Sequence, residues 1–102
     1  MLKSAGADVM VDFTIAEGFI KRAQAALGAG VGLVVGTTGI PRDVVKKTAA
    51  LAAAKKLGVI FAPNFAIGAV LMMKFAALAA PYMPAAEIIE LHHDRKIDAP
   101  SG

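Results

Sequence analysis

Three short apolar segments, each followed by a turn and an alanine-rich segment, constrain the fold of this chain most strongly. The apolar segments cover residues 7–13, 31–35 and 59–62, and their β-branched residues are typical of buried parallel strands. Strands that alternate with helices at this spacing predict right-handed βαβ crossovers. We therefore expect an α/β fold in which a βαβαβα portion is built on a parallel sheet.

The first helix is predicted to begin at Thr14. Thr14 and Glu17 have the spacing of a capping box, in which the threonine accepts from a first-turn amide and the glutamate reaches back. Gly28 and Gly30 are predicted to end this helix.

The second helix is predicted over residues 43–57. Pro41 suits a first helical position, and Asp43 places a negative charge where the helix dipole favours it. Gly58 is predicted to close this helix.

The third helix, residues 67–80, lies in the most apolar stretch and is expected to stop at Pro81. This stretch is shorter than a membrane span and carries Lys74 at its middle. It therefore predicts a buried helix of a soluble protein and no association with a membrane.

The sequence changes character after Pro84. Residues 87–93, EIIELHH, predict a strand, and a polar segment follows it. This change predicts the start of a second domain after residue 84.

Composition excludes several classes of protein. The net charge of +3 comes from 11 basic and 8 acidic residues that form no block, so nucleic-acid binding is not expected. The absence of cysteine excludes a disulfide scaffold and suits a cytoplasmic location.

Polar and glycine-rich segments follow the predicted strands, where ligands bind in parallel sheets. Gly36, Thr37, Thr38 and Gly39 follow the second strand, so their backbone and hydroxyl groups could hold a flat ligand such as a nicotinamide. An ordinary strand-to-helix turn is an equal alternative.

Ala62, Pro63, Asn64 and Phe65 follow the third strand. Asn64 offers a donor and an acceptor, and Phe65 offers a flat apolar face. The residues alone favour the alternative in which Asn64 caps a helix and Phe65 lies in the core. Asp12, at the end of the first strand, could likewise cap or brace this edge of the sheet.

Residues 90–98 hold the densest cluster of reactive side chains. A histidine can deliver a proton at physiological pH, and a nearby lysine can hold a carboxylate or supply a second proton. Adjacent histidines on a strand point to opposite faces and do not chelate together, which disfavours a metal site. Ser101 and Gly102 suggest the start of another helix, whose free amides could bind a carboxylate.

Four motifs together resemble the 4-hydroxy-tetrahydrodipicolinate reductase family, also called dihydrodipicolinate reductases. They are VDFT at 11–14, GTTG at 36–39, APNF at 62–65 and ELHHDRKIDAPSG at 90–102. The resemblance covers essentially the whole chain, and the His-His-x-x-Lys string is its most specific part.

The resemblance implies NADH or NADPH as hydride donor and a cyclic imine dicarboxylate as substrate in lysine and diaminopimelate biosynthesis. It implies that His92 is the catalytic acid/base and Lys96 the proton donor. His93, Ser101 and Gly102 would contact substrate, and the cofactor would be held by Gly36, Thr37, Thr38, Ala62, Pro63, Asn64 and Phe65. No metal is implied, and the full-length enzyme would be a homotetramer. The resemblance also implies that residues 1–84 are the C-terminal part of a Rossmann-like dinucleotide-binding domain and that residues 85–102 begin an α+β substrate domain. The chain would then be truncated at both ends.

The family's glycine-rich phosphate loop does not occur in these residues, so the chain alone is expected to be inactive. Two alternatives stay open. The chain could belong to another oxidoreductase with a split Rossmann domain, or it could be a non-catalytic α/β module completed by a partner chain.

Overall fold

The computed structural model describes residues 6–89, Leu91 and Asp94. They belong to two compact units that divide between Pro63 and Asn64. The first unit contains a three-stranded parallel sheet of order β1-β2-β3 with two connecting helices, which confirms the α/β class. Its elements are β1 (Val9–Asp12), α1 (Phe19–Gly28), β2 (Gly32–Val35), α2 (Arg42–Ala54) and β3 (Val59–Phe61).

One face of the sheet is covered by α1 and α2. Because side chains alternate along a strand, the register places two rows on this face: Met10, Leu33 and Val59, and then Asp12, Val35 and Phe61. The buried residues of both helices form one hydrophobic core with Leu33 and Val35. We call this side the covered face.

The opposite side of the sheet is called the open face. Val9, Val11 and Ile60 lie on it with 53%, 60% and 59% of their surface exposed. Strands β1 and β3 therefore expose this side of the sheet, although nearly all of their residues are apolar.

Helix α1 contributes half of the buried hydrophobic residues of the core. Phe19, Ala23, Ala26 and Leu27 recur on one face of the helix and are all buried. Two of the four are alanines, which let the helix approach the sheet closely. The Phe19 ring contacts the Phe61 ring edge to face, with centroids 5.9 Å apart.

The prediction that α1 begins at Thr14 is wrong. The helix begins at Phe19 after Gly18, which has a φ of 70°. The hydroxyl and amide of Thr14 both donate to the Asp12 carboxylate instead of capping a helix. An ionised acceptor two residues away outcompetes the weaker capping box, so residues 13–18 form a loop.

Helices α1 and α2 end in the same way. After α1, Gly30 has a φ of 81°, and the amide of Val31 donates to the carbonyl of Ala26. After α2, Lys56 has a φ of 57°, and the amide of Leu57 donates to the carbonyl of Ala52. Both are Schellman motifs, and the second is formed without glycine.

The bounds predicted for α2 need correction at both ends. Pro41 is the residue before the helix and not its first, whereas Asp43 lies in the first turn as predicted. The helix ends at Ala54 and does not reach residue 57, because the left-handed Lys56 turns the chain before Gly58.

The second unit contains α3 (Ile67–Ala79) and a 3-10 turn (Ala80–Tyr82) that includes Pro81. The prediction of a buried helix is wrong, since α3 has no buried residue and Leu78 is 70% exposed. An apolar helix is buried only where other elements surround it, and composition does not supply them. Among the described residues, no helix is long and apolar enough to cross a membrane.

The strand predicted over residues 87–93 is not formed in the part that the structure describes. Glu87, Ile88, Ile89 and Leu91 are outside any strand and are exposed. A strand needs a hydrogen-bonded neighbour, and none of the described strands pairs with these residues.

Candidate functional site

The carboxyl ends of the three strands lie side by side, as the sequence predicts. Asp12, Val35 and Phe61 form the last row, and Ala62 donates its amide to the Val35 carbonyl at 2.9 Å. We call this edge the rim; it consists of the loops 13–18 and 36–41 together with Ala62 and Pro63.

The Asp12 carboxylate is the centre of the rim, and only 3% of Asp12 is exposed. Its Oδ1 accepts from the Thr14 amide at 3.0 Å, from the Thr14 hydroxyl at 2.7 Å and from the Thr37 hydroxyl at 2.7 Å. Its Oδ2 accepts from Nε of Arg22 at 2.9 Å. A charge buried in the sheet is thus fully hydrogen-bonded, as burial requires.

These contacts keep the carboxylate ionised. Burial alone would raise the pKa of Asp12, but hydrogen bonds from Arg22, Thr14 and Thr37 outweigh it and hold the pKa well below its ordinary value. Asp12 is therefore a fixed negative charge at neutral pH and not a proton donor or acceptor.

Arg22 ties the loop 13–18 to helix α1. Besides its bond to Asp12, its Nη1 donates to the Glu17 carbonyl at 2.9 Å and its Nη2 to the Ile15 carbonyl at 2.6 Å. A single guanidinium thus satisfies a carboxylate and two loop carbonyls, a geometry that its planar fork suits. Sequence reasoning missed Arg22, because nothing in its local pattern indicates contacts to residues five to ten positions earlier.

The two threonines of the GTTG segment differ in what they can offer a ligand. The Thr37 amide donates to the Asp12 carbonyl at 3.1 Å and its hydroxyl donates to the carboxylate, so both donors are used. Thr38 is half-buried, and within the described residues its hydroxyl has no hydrogen-bond partner. Thr38 can donate to a ligand, whereas Thr37 braces the loop.

Gly36 is required by the close approach of Phe13. A Cβ atom at residue 36 would overlap the Phe13 ring. Phe13 is 63% exposed, so its ring presents a flat apolar surface at the rim beside a backbone that carries no side chain. Sequence reasoning did not single out Phe13 as a site residue, although its place directly after a strand could have indicated it.

Asn64 and Phe65 belong to the second unit. Asn64 Oδ1 accepts from the Ala66 amide at 2.8 Å, just ahead of α3, and no side chain caps the helix itself. Phe65 is 55% exposed. Asn64 thus stabilises the turn into α3 by a local Asx contact.

The predicted catalytic and substrate-contacting residues lie outside the described residues. These are His92, His93, Lys96, Ser101 and Gly102. Their assignment therefore stays a prediction.

A parallel sheet with its helices on one face and its polar rim at the carboxyl ends of the strands defines a Rossmann-like α/β protein. Comparison with known families identifies a particular family within this class. Residues 1–65 match the family model for the dihydrodipicolinate reductase N-terminus, and residues 68–102 match that for the C-terminus. The chain belongs to the dihydrodipicolinate reductase family, as its motifs predict.

Individual relatives of this chain carry the name of the same family. The chain is 54% identical over 101 residues to 4-hydroxy-tetrahydrodipicolinate reductase of Desulfitobacterium hafniense (strain DSM 10664 / DCB-2), which covers 99% of this chain and 38% of that protein. It is 54% identical over 102 residues to the enzyme of the same name from Syntrophomonas wolfei, covering 100% of this chain and 38% of that protein.

A solved structure is also similar. It is the dipicolinate-bound dihydrodipicolinate reductase from Paenisporosarcina sp. TG-14, with a TM-score of 0.76 and 50% sequence identity. The match covers 99% of this chain and 38% of that one. The chain thus spans about 38% of the length of the relatives that it matches.

Proposed function

We propose that this chain acts as part of an NADH- or NADPH-dependent reductase that converts 4-hydroxy-tetrahydrodipicolinate to tetrahydrodipicolinate. The observation that carries the proposal is the rim, where Gly36, the exposed Phe13 ring and the Thr38 hydroxyl, which has no partner among the described residues, lie at the carboxyl edge of a parallel sheet. Membership of the family supplies the reaction.

The nicotinamide end of the cofactor fits this rim. Gly36 lets the Phe13 ring lie directly against the loop backbone, and Phe13 supplies an apolar face of the kind that packs against a flat ring. The Thr38 hydroxyl, which has no partner among the described residues, would hydrogen-bond the carboxamide or ribose. Thr37 would contribute through its carbonyl and by holding the loop. The family resemblance further assigns cofactor contacts to Ala62, Pro63, Asn64 and Phe65.

When bound, a reduced nicotinamide supplies the hydride. Loss of the substrate's 4-hydroxyl group as water gives a conjugated imine. Hydride addition to this imine leaves negative charge on the substrate, and the His92 imidazolium would neutralise it by protonating the adjacent carbon. Lys96 would stabilise that charge and supply a proton. His93, Ser101 and Gly102 would hold the substrate carboxylates.

The test is loss of reduced-nicotinamide absorbance with freshly synthesised 4-hydroxy-tetrahydrodipicolinate on the full-length reductase that carries these residues. His92→Ala and Lys96→Ala are each expected to lower kcat by about 100-fold or more, the usual contribution of general acid–base catalysis. The matched control is Lys47→Ala, an exposed lysine on α2 that pairs with Asp43 and is expected to leave turnover unchanged. No turnover with either cofactor would refute the proposal.

Two alternatives make different predictions. If the complete protein reduces a different substrate, dipicolinate will not compete with that substrate. If it is a non-catalytic module completed by a partner, a mass measurement will find it as an obligate oligomer without reductase activity. Hydride transfer by the 102-residue polypeptide alone would contradict the expectation that it is inactive in isolation.

We further propose that the complete enzyme is a cytoplasmic homotetramer that does not bind nucleic acid. From the change in sequence after Pro84, we propose that residues 85–102 begin the substrate-binding and tetramerisation domain. Mass measurement of the full-length protein, and of a protein that lacks every residue after 84, would test both points.

A further inference from the structure

Asp12 contacts both loops of the rim at once. Its carbonyl accepts from the amides of Gly36 at 2.8 Å and Thr37 at 3.1 Å, and its Oδ1 accepts from the Thr37 hydroxyl. The same Oδ1 accepts from the amide and hydroxyl of Thr14. The start of the GTTG segment is therefore attached to the end of β1 through the backbone and the side chain of one residue.

Each carboxylate oxygen of Asp12 accepts a hydrogen bond from an N–H group that can only donate. The Thr14 amide points at Oδ1 and the Arg22 Nε–H points at Oδ2. Neither nitrogen can accept a hydrogen bond, so both oxygens must be acceptors. An asparagine, which has one acceptor and one donor in the same space, must set its NH2 group against one of these donors in either orientation.

Thr37 connects the Asp12 carboxylate to the loop 36–39. Its hydroxyl proton is directed to Asp12, and the same oxygen accepts from the Thr14 amide at 3.0 Å. Thr37 is 8% exposed, so this bond forms in a region that water hardly reaches. The hydroxyl of the next residue, Thr38, has no partner in the part of the chain that the structure describes, and the position of Thr38 follows from that of Thr37.

We propose that Asp12 is the positioning residue for the loop 36–39, and that it sets the affinity for the nicotinamide cofactor by holding that loop in its binding geometry. The role in affinity rests on the proposed function. The role in holding the loop rests on the contacts above. Asp12 itself touches no reacting atom in this assignment.

The test compares Asp12→Asn with Leu27→Ala in the full-length reductase. Leu27 is 1% exposed and lies at the far end of α1 from Arg22, so its truncation destabilises the core without touching the network. Two quantities are measured in each protein: hydrogen exchange of a peptide covering residues 36–39, and the Kd for NADH and NADPH from fluorescence of the bound nicotinamide.

Asp12→Asn is expected to speed exchange in residues 36–39 by about tenfold and to weaken cofactor binding by about tenfold, the effect of losing one charged hydrogen bond. Leu27→Ala is expected to lower Tm and leave both quantities within about twofold of wild type, because it acts only on global stability. A second pair, Thr37→Val and Thr37→Ser, separates the hydroxyl from the side-chain shape. The serine variant is expected to restore both quantities.

Unchanged exchange in Asp12→Asn would overturn the positioning role. Faster exchange with an unchanged Kd would overturn the link to affinity. If wild-type protein binds neither NADH nor NADPH, the proposed function fails and the link to affinity fails with it. The exchange comparison still decides separately whether Asp12 holds the loop.

Discussion

The two faces of the sheet are made from the same three strands and nearly the same residue types, yet they differ sharply in burial. Val35 on the covered face is 1% exposed, whereas Val11 on the open face is 60% exposed. Both are valines in the same sheet, one strand apart. Apolar character therefore allows a residue to be buried, but the helices that pack on one face determine which apolar residues are buried.

The covered face also contains the buried carboxylate at the centre of the rim. Asp12 lies in its last row beside Val35 and Phe61, and Arg22 reaches it from α1. The helix that builds the core therefore also supplies the counter-ion of the buried carboxylate. Packing and the candidate site are linked through α1 on this face.

The largest expected effect compares lysine at two valine positions. Val35→Lys should unfold the 102-residue chain, because it places an unpaired charge in the core, whereas Val11→Lys should change stability by less than about 0.5 kcal/mol. Circular dichroism and urea denaturation measure both. Equal tolerance at the two positions would contradict the assignment of covered and open faces.

A smaller effect is expected from truncating an aromatic residue of the core. Phe19→Ala should cost about 4 kcal/mol, because it removes the contact with Phe61 and leaves a cavity. Ile60→Ala on the open face should cost less than about 1 kcal/mol in the same chain. If Ile60→Ala proves as costly in the full-length reductase, other residues of that protein cover this face.

The next effect depends on pH. The Asp12 carboxyl has a lowered pKa in the folded protein, so its contribution to stability is present above the unfolded pKa of about 3.9 and is lost as the pH falls through the folded pKa. Asp12→Asn should cost the full-length reductase about 2 kcal/mol at pH 7.

This stability difference should stay constant between about pH 8 and pH 5 and shrink below about pH 4. Urea denaturation of both proteins at each pH measures it. A difference that shrinks between pH 8 and pH 6 would show that another group is responsible.

The smallest effects are expected at the ends of the two covering helices. Lys56→Gly should stabilise the 102-residue chain by about 0.5 kcal/mol, because a glycine adopts the left-handed conformation without strain, whereas Gly30→Ala should destabilise it by about 1 kcal/mol. Thermal unfolding of both variants tests the pair. A gain of stability in Lys56→Gly together with a loss in Gly30→Ala would support the conclusion that both helices end in the same motif. A loss of stability in both variants would contradict it.

Much of the first unit could be predicted from sequence. The centres of the strands, their parallel order, the rim and the end of α1 near Gly30 follow from periodicity, glycine and short-range capping rules. The start of α1 could not be predicted in this way. Thr14 has two available partners, and the one that wins is a carboxylate held in place by Arg22 and Thr37 from other elements.

The same limit applies to α3. Its apolar composition predicts a helix correctly but burial incorrectly, because burial depends on surfaces that its own residues do not encode. In the candidate site, the sequence indicates that both Thr37 and Thr38 could bind a ligand. The structure separates them, since Thr37 donates to Asp12 and Thr38 does not.

The sequence by itself determined the family, the α/β class and the edge of the sheet where the site lies, because these depend on motifs and on patterns within a few residues. The tertiary structure decided which face of the sheet is buried, where α1 begins and which hydroxyl is free. Each of these depends on contacts between groups that are 10 to 25 residues apart, such as the hydrogen bonds from Arg22 and Thr37 to Asp12. Such groups meet only when the sheet and helices have packed.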